Sequence, residues 1–163
     1  MHIHQDRIEG VDSALHQAQQ ICERSGARLT RLRKQILTLI LRSHQPLGAY
    51  QLMDLLREHS HREQVAPPTV YRSLDFLLQQ GLIHKVHSLN AYLGCNRPNR
   101  CQIAALFICS HCHHTEEAAN NAMEQAINLS AAQHRFAVTQ PIIEVQGLCS
   151  SCKKNAGNQE ARS

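Results

Sequence analysis

Two cysteine pairs with the same spacing constrain the second half of this 163-residue chain more than any other feature. Cys109 and Cys112 lie in "CSHC", and Cys149 and Cys152 lie in "CSSC". Each pair can direct two sulfurs from one tight turn at a single ion, and four thiolates in a tetrahedron form a closed structural zinc site. Because zinc binding contributes folding energy, such a site would stabilise a unit that is small on its own.

A redox dithiol or a disulfide clamp could use the same cysteines. A thioredoxin-like pair should open a helix inside a βαβ unit, and neither pair does. No stretch approaches the roughly 20 apolar residues of a membrane span, and the N-terminus lacks a signal-peptide pattern. We therefore expect a cytoplasmic protein, in which paired cysteines more often bind metal. The count of 12 histidines and the odd number of 7 cysteines also favour metal.

The first half of the chain shows the element order of a winged helix-turn-helix domain. Apolar residues at helical spacing predict a first helix capped by Asp12, with frayed residues before it, and a second helix capped by Thr30. Two more helices follow in "AYQLMDLLREHS" and "PTVYRSLDFLLQQG". The alternating runs "LIHKVHS" and "AYLGC" then predict a hairpin.

The second half reads as a small α/β unit. Strands are predicted in "CQIAALFIC", "HHTEEA" and "FAVTQPIIEVQG", and an amphipathic helix in "NAMEQAINLSAAQH". The fold class is therefore α+β, with an N-terminal winged helix followed by this smaller unit. Its size indicates that a structural metal or a partner chain would help it fold.

The last helix before the hairpin is the candidate DNA-reading element. Thr69, Tyr71, Arg72 and Asp75 lie outside its apolar stripe, and in helix-turn-helix proteins the N-terminal residues of that helix reach base edges. Arginine can grip guanine, and tyrosine can stack on a base or bind phosphate. A basic group at the second helix could contact the phosphate backbone: Arg28, Arg31, Arg33 and Lys34. A solvated basic face is the alternative for any single arginine, and the formal net charge of +4 does not decide between them.

The chain resembles the ferric uptake regulator superfamily, most closely its zinc uptake regulator branch. The motifs are "ARLTRLRKQIL", "PPTVYRSLDFLLQQGLIHKV", "FICSHC" and "GLCSSC", and the similarity runs from about Asp12 to Cys152. The resemblance implies a zinc-loaded homodimer that binds double-stranded DNA operators and represses zinc uptake genes, with no enzymatic activity. It also implies three parts: a DNA-binding domain over 1–90, a hinge over 91–103, and an α/β dimerisation and zinc-binding domain over 104–153. Independently of the resemblance, the polar composition of 154–163 predicts a disordered tail.

The resemblance further implies a second, regulatory zinc, and hence two zinc ions per chain. His84, Cys95 and Glu117 match three of its ligands, but Cys101 and Gln102 stand where the family has a histidine. We expect Cys101 to be the fourth ligand. A buried apolar cysteine is the alternative for Cys101, in which case a nearby histidine would serve: His111, His113 or His114.

Two other functions compete with this interpretation. One is an iron- or peroxide-sensing regulator of the same superfamily, which the thiolate of Cys95 disfavours because iron sites there use histidine and carboxylate ligands. The other is a thiol redox protein that uses the two cysteine pairs, for which the sequence offers no supporting base or helix N-terminus.

Overall fold

The computed structural model describes residues 3–43, 45–59, 65–96, 98, 104–118, 121–139 and 141–154. The chain divides into two compact units, Met1–Asn99 and Arg100–Ser163. The boundaries predicted for the hinge and the tail stay predictions, although the start of the predicted hinge is a strand of the first unit. None of the helices within the described ranges is both long and apolar enough to cross a membrane.

The N-terminal unit consists of four helices and a small sheet. In chain order its elements are α1 (Ile3–Arg24), α2 (Arg31–Arg42), β1 (Leu47–Gly48), α3 (Ala49–His59), α4 (Pro67–Gln79), β2 (Ile83–Val86) and β3 (Ala91–Gly94). The order of helices and hairpin is the one that the sequence predicts.

The start of α1 corrects one expectation. The helix begins at Ile3, so Asp12 lies inside it rather than at its cap, and the residues before Asp12 are helical. No proline interrupts this stretch, and Gly10 lowers helix stability by only about 1 kcal/mol relative to alanine. Gly26 does end the helical run, since its φ of 69° is a conformation that glycine adopts without strain.

The core of this unit joins the inner faces of α1, α2, α3 and α4. From α2 it takes Ile36, Leu37 and Ile40, and from α4 it takes Val70, Leu74 and Leu77. These six residues repeat at helical spacing, as the sequence predicts. Their burial fixes which faces of α2 and α4 remain in contact with solvent.

Helices α2 and α4 begin in different ways. Thr30 occupies the N-cap position of α2 in an extended conformation, but its side chain makes no capping hydrogen bond. Two prolines, Pro67 and Pro68, open α4, where the fixed φ of proline suits the first turn and no amide hydrogen is needed.

The wing is an antiparallel hairpin of β2 and β3, in which His84 faces Leu93 and Lys85 faces Tyr92. Asn90 closes the turn with a φ of 47°, so the predicted hairpin is confirmed. The two-residue strand β1 adds to the outer side of β3. It is too short to show an alternating pattern in the sequence.

The C-terminal unit is a three-stranded sheet with one helix. Its elements are β4 (Ala104–Cys109), β5 (Thr115–Ala118), α5 (Asn121–Gln133) and β6 (Ile142–Gly147), with a helical turn over 150–154. The strand order is β5-β4-β6, with β4 antiparallel to β5 and parallel to β6. The predicted strands and helix of this half are present, but the last strand begins at Ile142, after Pro141, rather than at Phe136, because proline has no amide hydrogen to donate to the sheet.

This unit leaves much apolar surface uncovered. Phe107 on β4 and Val145 on β6 are register partners on one face of the sheet, and both are exposed. None of the α5 residues is buried. Other exposed large apolar side chains in the unit are Leu129, Phe136, Ile142 and Leu148.

Candidate metal centres and DNA-facing surface

The structure brings the four cysteines of the two pairs together. Cys109 ends β4 and Cys112 lies in the turn after it, while Cys149 and Cys152 follow β6. The four sulfur atoms all lie within 4.8 Å of one another. The Sγ atoms of Cys112 and Cys149 are 3.7 Å apart.

These distances fit a tetrahedral zinc ion. Four sulfurs bonded to zinc at about 2.3 Å in a tetrahedron lie about 3.8 Å from one another. The separation of 3.7 Å between the Cys112 and Cys149 sulfurs matches that edge. The donor set, four thiols and no oxygen, also favours zinc over calcium, magnesium or manganese.

Backbone hydrogen bonds hold the two turns next to each other. The amide of Ser110 donates to the carbonyl of Gly147 over 2.8 Å, and the Ser110 hydroxyl donates to the same oxygen over 3.1 Å. Within the first turn, the amide of His113 donates to Cys109, and the amide of Cys109 donates to the carbonyl of His114. The parallel pairing of β4 with β6 therefore places both cysteine pairs at one end of the sheet.

Hydrogen bonding gives the neighbouring thiols of this cluster different pKa values. Backbone hydrogen bonds from Cys149 and Cys112 lower the pKa of the Cys109 thiol to about 5. Hydrogen bonding with Cys149, together with burial, raises the pKa of Cys152 to about 12. Four neighbouring thiols cannot all lose their protons without a balancing positive charge. A divalent ion at their centre would supply that charge and hold all four as thiolates.

A second pair of candidate ligands lies inside the N-terminal unit. His84 on β2 and Cys95, directly after β3, are both buried, and their ligand atoms lie within 4.8 Å of each other. The amide of Cys95 donates to the carbonyl of Leu82 over 3.0 Å, which extends the hairpin pairing to the cysteine. One imidazole and one thiolate supply half of a four-coordinate zinc shell.

The remaining predicted ligands lie in the second half of the chain. Glu117 is on β5, opposite Leu106 of β4, and is partly exposed. His111 and His113 are exposed, and the ring of His114 lies 2.9 Å from the Glu116 carboxylate at the surface. Cys101 and Gln102 lie outside the described residues.

The exposed face of α4 carries the predicted DNA-reading side chains. Thr69, Tyr71, Arg72 and Asp75 are all exposed, while Ser73 turns inward and donates to the carbonyl of Thr69. The predicted phosphate-contacting residues Arg28, Arg31 and Lys34 are also exposed.

Arg33 differs from its basic neighbours, and sequence reasoning grouped it with them. Its guanidinium carbon lies 3.5 Å from the centre of the Phe76 ring, and its Nη1 donates to the carbonyl of Arg28 over 2.7 Å. Helical phase gives a signal for this difference, because Arg33 precedes the buried Ile36 and Leu37 by three and four residues and so shares their face of α2.

Comparison with known proteins defines the class of this two-unit, winged-helix chain. The model of the "Ferric uptake regulator family" matches residues 24–146. The chain is 41% identical over 139 residues to the zinc uptake regulation protein of Escherichia coli (strain K12), covering 85% of this chain and 80% of that protein. It is 29% identical over 132 residues to the zinc uptake regulation protein of Mycobacterium tuberculosis (strain H37Rv), covering 79% and 97%.

Solved structures of zinc uptake regulators also superpose on this chain. A zinc uptake regulator complexed with zinc and DNA superposes with a TM-score of 0.82 at 38% identity, covering 90% of this chain and 97% of that one. The holo form of XcZur superposes with a TM-score of 0.77 at 36% identity, covering 87% and 98%. The chain belongs to the ferric uptake regulator family. The predicted fold class and the resemblance to the zinc uptake regulator branch are confirmed.

Removal of one sulfur tests the four-cysteine centre. We expect Cys112→Ser to lower the zinc content by about one ion per chain and to destabilise the C-terminal unit, because a structural site contributes folding energy. Cys22→Ala is the matched control, since Cys22 is buried in the core of the N-terminal unit. Metal analysis and thermal unfolding report both effects. Full zinc content in Cys112→Ser, or equal zinc loss in the control, would argue against this centre.

Proposed function

We propose that this protein is a zinc-responsive transcriptional repressor whose zinc-loaded homodimer binds double-stranded operators of zinc uptake genes. The observation that carries the proposal is the match, over 90% of the chain, to a zinc uptake regulator solved with zinc and DNA. The four-sulfur cluster and the exposed face of α4 are the local features that such a protein needs.

DNA binding is assigned to the N-terminal unit. Thr69, Tyr71 and Arg72 are assigned to base edges, because they are exposed on α4 and the helix before the wing enters the major groove in helix-turn-helix proteins. The three exposed basic residues around the start of α2 are assigned to phosphates, which they would contact whatever the base sequence: Arg28, Arg31 and Lys34.

Homodimerisation is assigned to the C-terminal unit. The exposed pair Phe107 and Val145 offers an apolar surface on the sheet that a second copy of the chain can cover, and α5, which buries none of its residues, leaves further surface for a partner. A dimer carries two recognition helices, so it can read two half-sites at a fixed spacing.

Two zinc ions per chain are assigned to different roles. The first binds Cys109, Cys112, Cys149 and Cys152 and is structural, because four protein sulfurs leave no open position. The second takes the buried His84 and Cys95 from the N-terminal unit. The family pattern adds two further ligands to it: Glu117 and Cys101.

The second zinc is assigned to regulation. A nitrogen, sulfur and oxygen ligand set suits zinc better than manganese or magnesium. Zinc that binds the DNA-competent state more tightly shifts the population towards it, and a nearly complete switch requires a preference of roughly 5 kcal/mol. The metal thus controls repression without contacting DNA.

Two features would also suit the competing redox function: the pKa of the Cys109 thiol is lowered, and a helical turn over 150–154 begins directly after Cys149, so the expectation that no helix starts at a cysteine pair was wrong. The buried thiol of Cys95 next to His84 disfavours an iron- or peroxide-sensing role for that site. The four clustered sulfurs favour a closed metal site over an accessible redox dithiol. We therefore assign a regulatory rather than a catalytic role, in the cytoplasm, where the operators and reduced thiols are found.

Stepwise removal of zinc tests the whole proposal. We expect a chromogenic zinc reporter to show two steps in a chelator titration, because a closed four-thiolate site resists a mild chelator and the regulatory site does not. DNA binding, followed by fluorescence anisotropy on a duplex selected from a random library, should end with the first step while the dimer persists. DNA binding that survives complete zinc removal would refute the proposal, and a single release step would refute the division into two sites.

Substitution of the recognition helix tests the assignment of base contacts. We expect Arg72→Ala to lower affinity for the selected duplex by about 1–3 kcal/mol per half-site at fixed salt, the cost of one bidentate base contact. Zinc content and dimerisation should not change. Lys34→Ala is the control, and it should weaken binding to all sequences and flatten the salt dependence. Unchanged operator affinity in Arg72→Ala would remove this residue from the readout.

Cobalt substitution tests the fourth regulatory ligand. Thiolate-to-cobalt charge-transfer absorption from the second site should fall by about half in Cys101→Ser, because one of two thiolates is removed. Zinc-dependent DNA binding should weaken with it. The corresponding alanine variants of His111, His113 and His114 are the controls. If Cys101→Ser keeps the spectrum and the zinc response while a histidine variant loses them, the ligand is that histidine.

A further inference from the structure

Arg33 makes two contacts within the N-terminal unit that hold its side chain in place. Its guanidinium stacks 3.5 Å from the centre of the Phe76 ring, well within the range of about 6 Å for an interaction between a cation and an aromatic face. Its Nη1 donates to the carbonyl of Arg28 over 2.7 Å, a short, charge-assisted hydrogen bond.

These contacts connect α4, which is assigned to base contacts, with the start of α2, whose basic residues are assigned to phosphates. Phe76 lies on α4 one helical turn after Arg72, so a contact that fixes the ring also fixes the turn that carries Arg72. The carbonyl of Arg28 belongs to the turn before α2 and also accepts the amide of Thr30 over 3.1 Å. Arg33 thus bridges the recognition helix and the turn that presents Arg28.

Arg33 is less accessible to solvent than the basic residues beside it. Arg33 is partly buried, whereas Arg31 and Lys34 are exposed. Burial raises the pKa of the Cys22 thiol at the end of α1, and the positive charge of Arg33 offsets part of that rise. The ring contact and the hydrogen bond of the Arg33 side chain are thus with α4 and with the turn before α2.

We propose that Arg33 is a positioning residue for DNA recognition, which sets α4 against the start of α2 and does not itself neutralise a phosphate. The proposal rests on the DNA-binding function proposed above. It requires the planar guanidinium, because a lysine ammonium cannot stack on Phe76 and donate to the Arg28 carbonyl with the same geometry.

The salt dependence of binding separates positioning from phosphate contact. The experiment uses the full zinc-loaded chain and a duplex that the wild-type protein selects from a random library, with affinity measured over a series of salt concentrations. We expect Arg33→Ala to bind roughly tenfold more weakly with an unchanged salt slope. Lys34→Ala, its neighbour on the exposed face, should lower the slope by about 0.9 for each phosphate that is no longer neutralised.

Two further variants sharpen the test. Arg33→Lys keeps the charge and should behave like Arg33→Ala. Phe76→Leu keeps an apolar side chain but removes the ring face, and we expect a similar fall in affinity. In the double variant of Arg33→Ala with Phe76→Leu the two effects should not add, because the two residues act through the same interaction. Zinc content and thermal unfolding show whether Arg33→Ala folds. If it does not fold, Phe76→Leu alone tests the proposal, because it removes the same interaction from the other side.

Several outcomes would overturn the role of Arg33 while the DNA-binding function stands. These are a fall in salt slope equal to that of Lys34→Ala, full affinity in Arg33→Lys, or unchanged affinity in both Arg33→Ala and Phe76→Leu. A loss of thermal stability with full affinity in the folded variant would make the residue structural only and also refute the proposal. Failure of the wild-type chain to select any duplex would overturn the DNA-binding function itself.

Discussion

The close approach of four sulfur atoms is the constraint on which the C-terminal unit depends. The sheet β5-β4-β6 buries few side chains within the described residues, chiefly Ala105, Leu106 and Ile108. One face keeps Phe107 and Val145 exposed, and α5 buries none of its residues. A unit with so small a core gains too little from apolar burial to be stable alone. Under the proposed function, metal coordination at one end of the sheet and a partner on its open face would supply what the core lacks.

The N-terminal unit, in contrast, is stabilised by a large apolar core. Its buried cluster draws on α1, α2, α3, α4 and the wing, so the recognition helix is held by ordinary apolar packing. His84 and Cys95 are buried at the wing end of that same unit. The winged-helix unit therefore also carries two of the ligands proposed for the regulatory zinc, and metal binding there would act on a unit that apolar packing has already folded.

The sequence predicted those elements that have a clear period and missed those that do not. The stripes on α2 and α4 and the alternation in the hairpin indicated their types and inward faces, and the cysteine spacing predicted the sulfur cluster. The start of α1 was wrong because Asp12 resembles a cap although nothing before it breaks a helix. Strand β1 has two residues and no period. The ligand at Cys101 stays a prediction, since it rests on a departure from the family pattern.

The different surroundings of two arginines show why charge alone does not identify the residues that are available to DNA. Arg72 and Arg33 are chemically identical, but one faces solvent and the other lies against Phe76. A formal net charge of +4 therefore overstates the charge available to phosphates. Under the proposed function, two N-terminal units on one operator would contact more phosphates than one unit and would read two half-sites at a fixed spacing. Zinc would then control repression by favouring the state of the dimer in which both units bind DNA together.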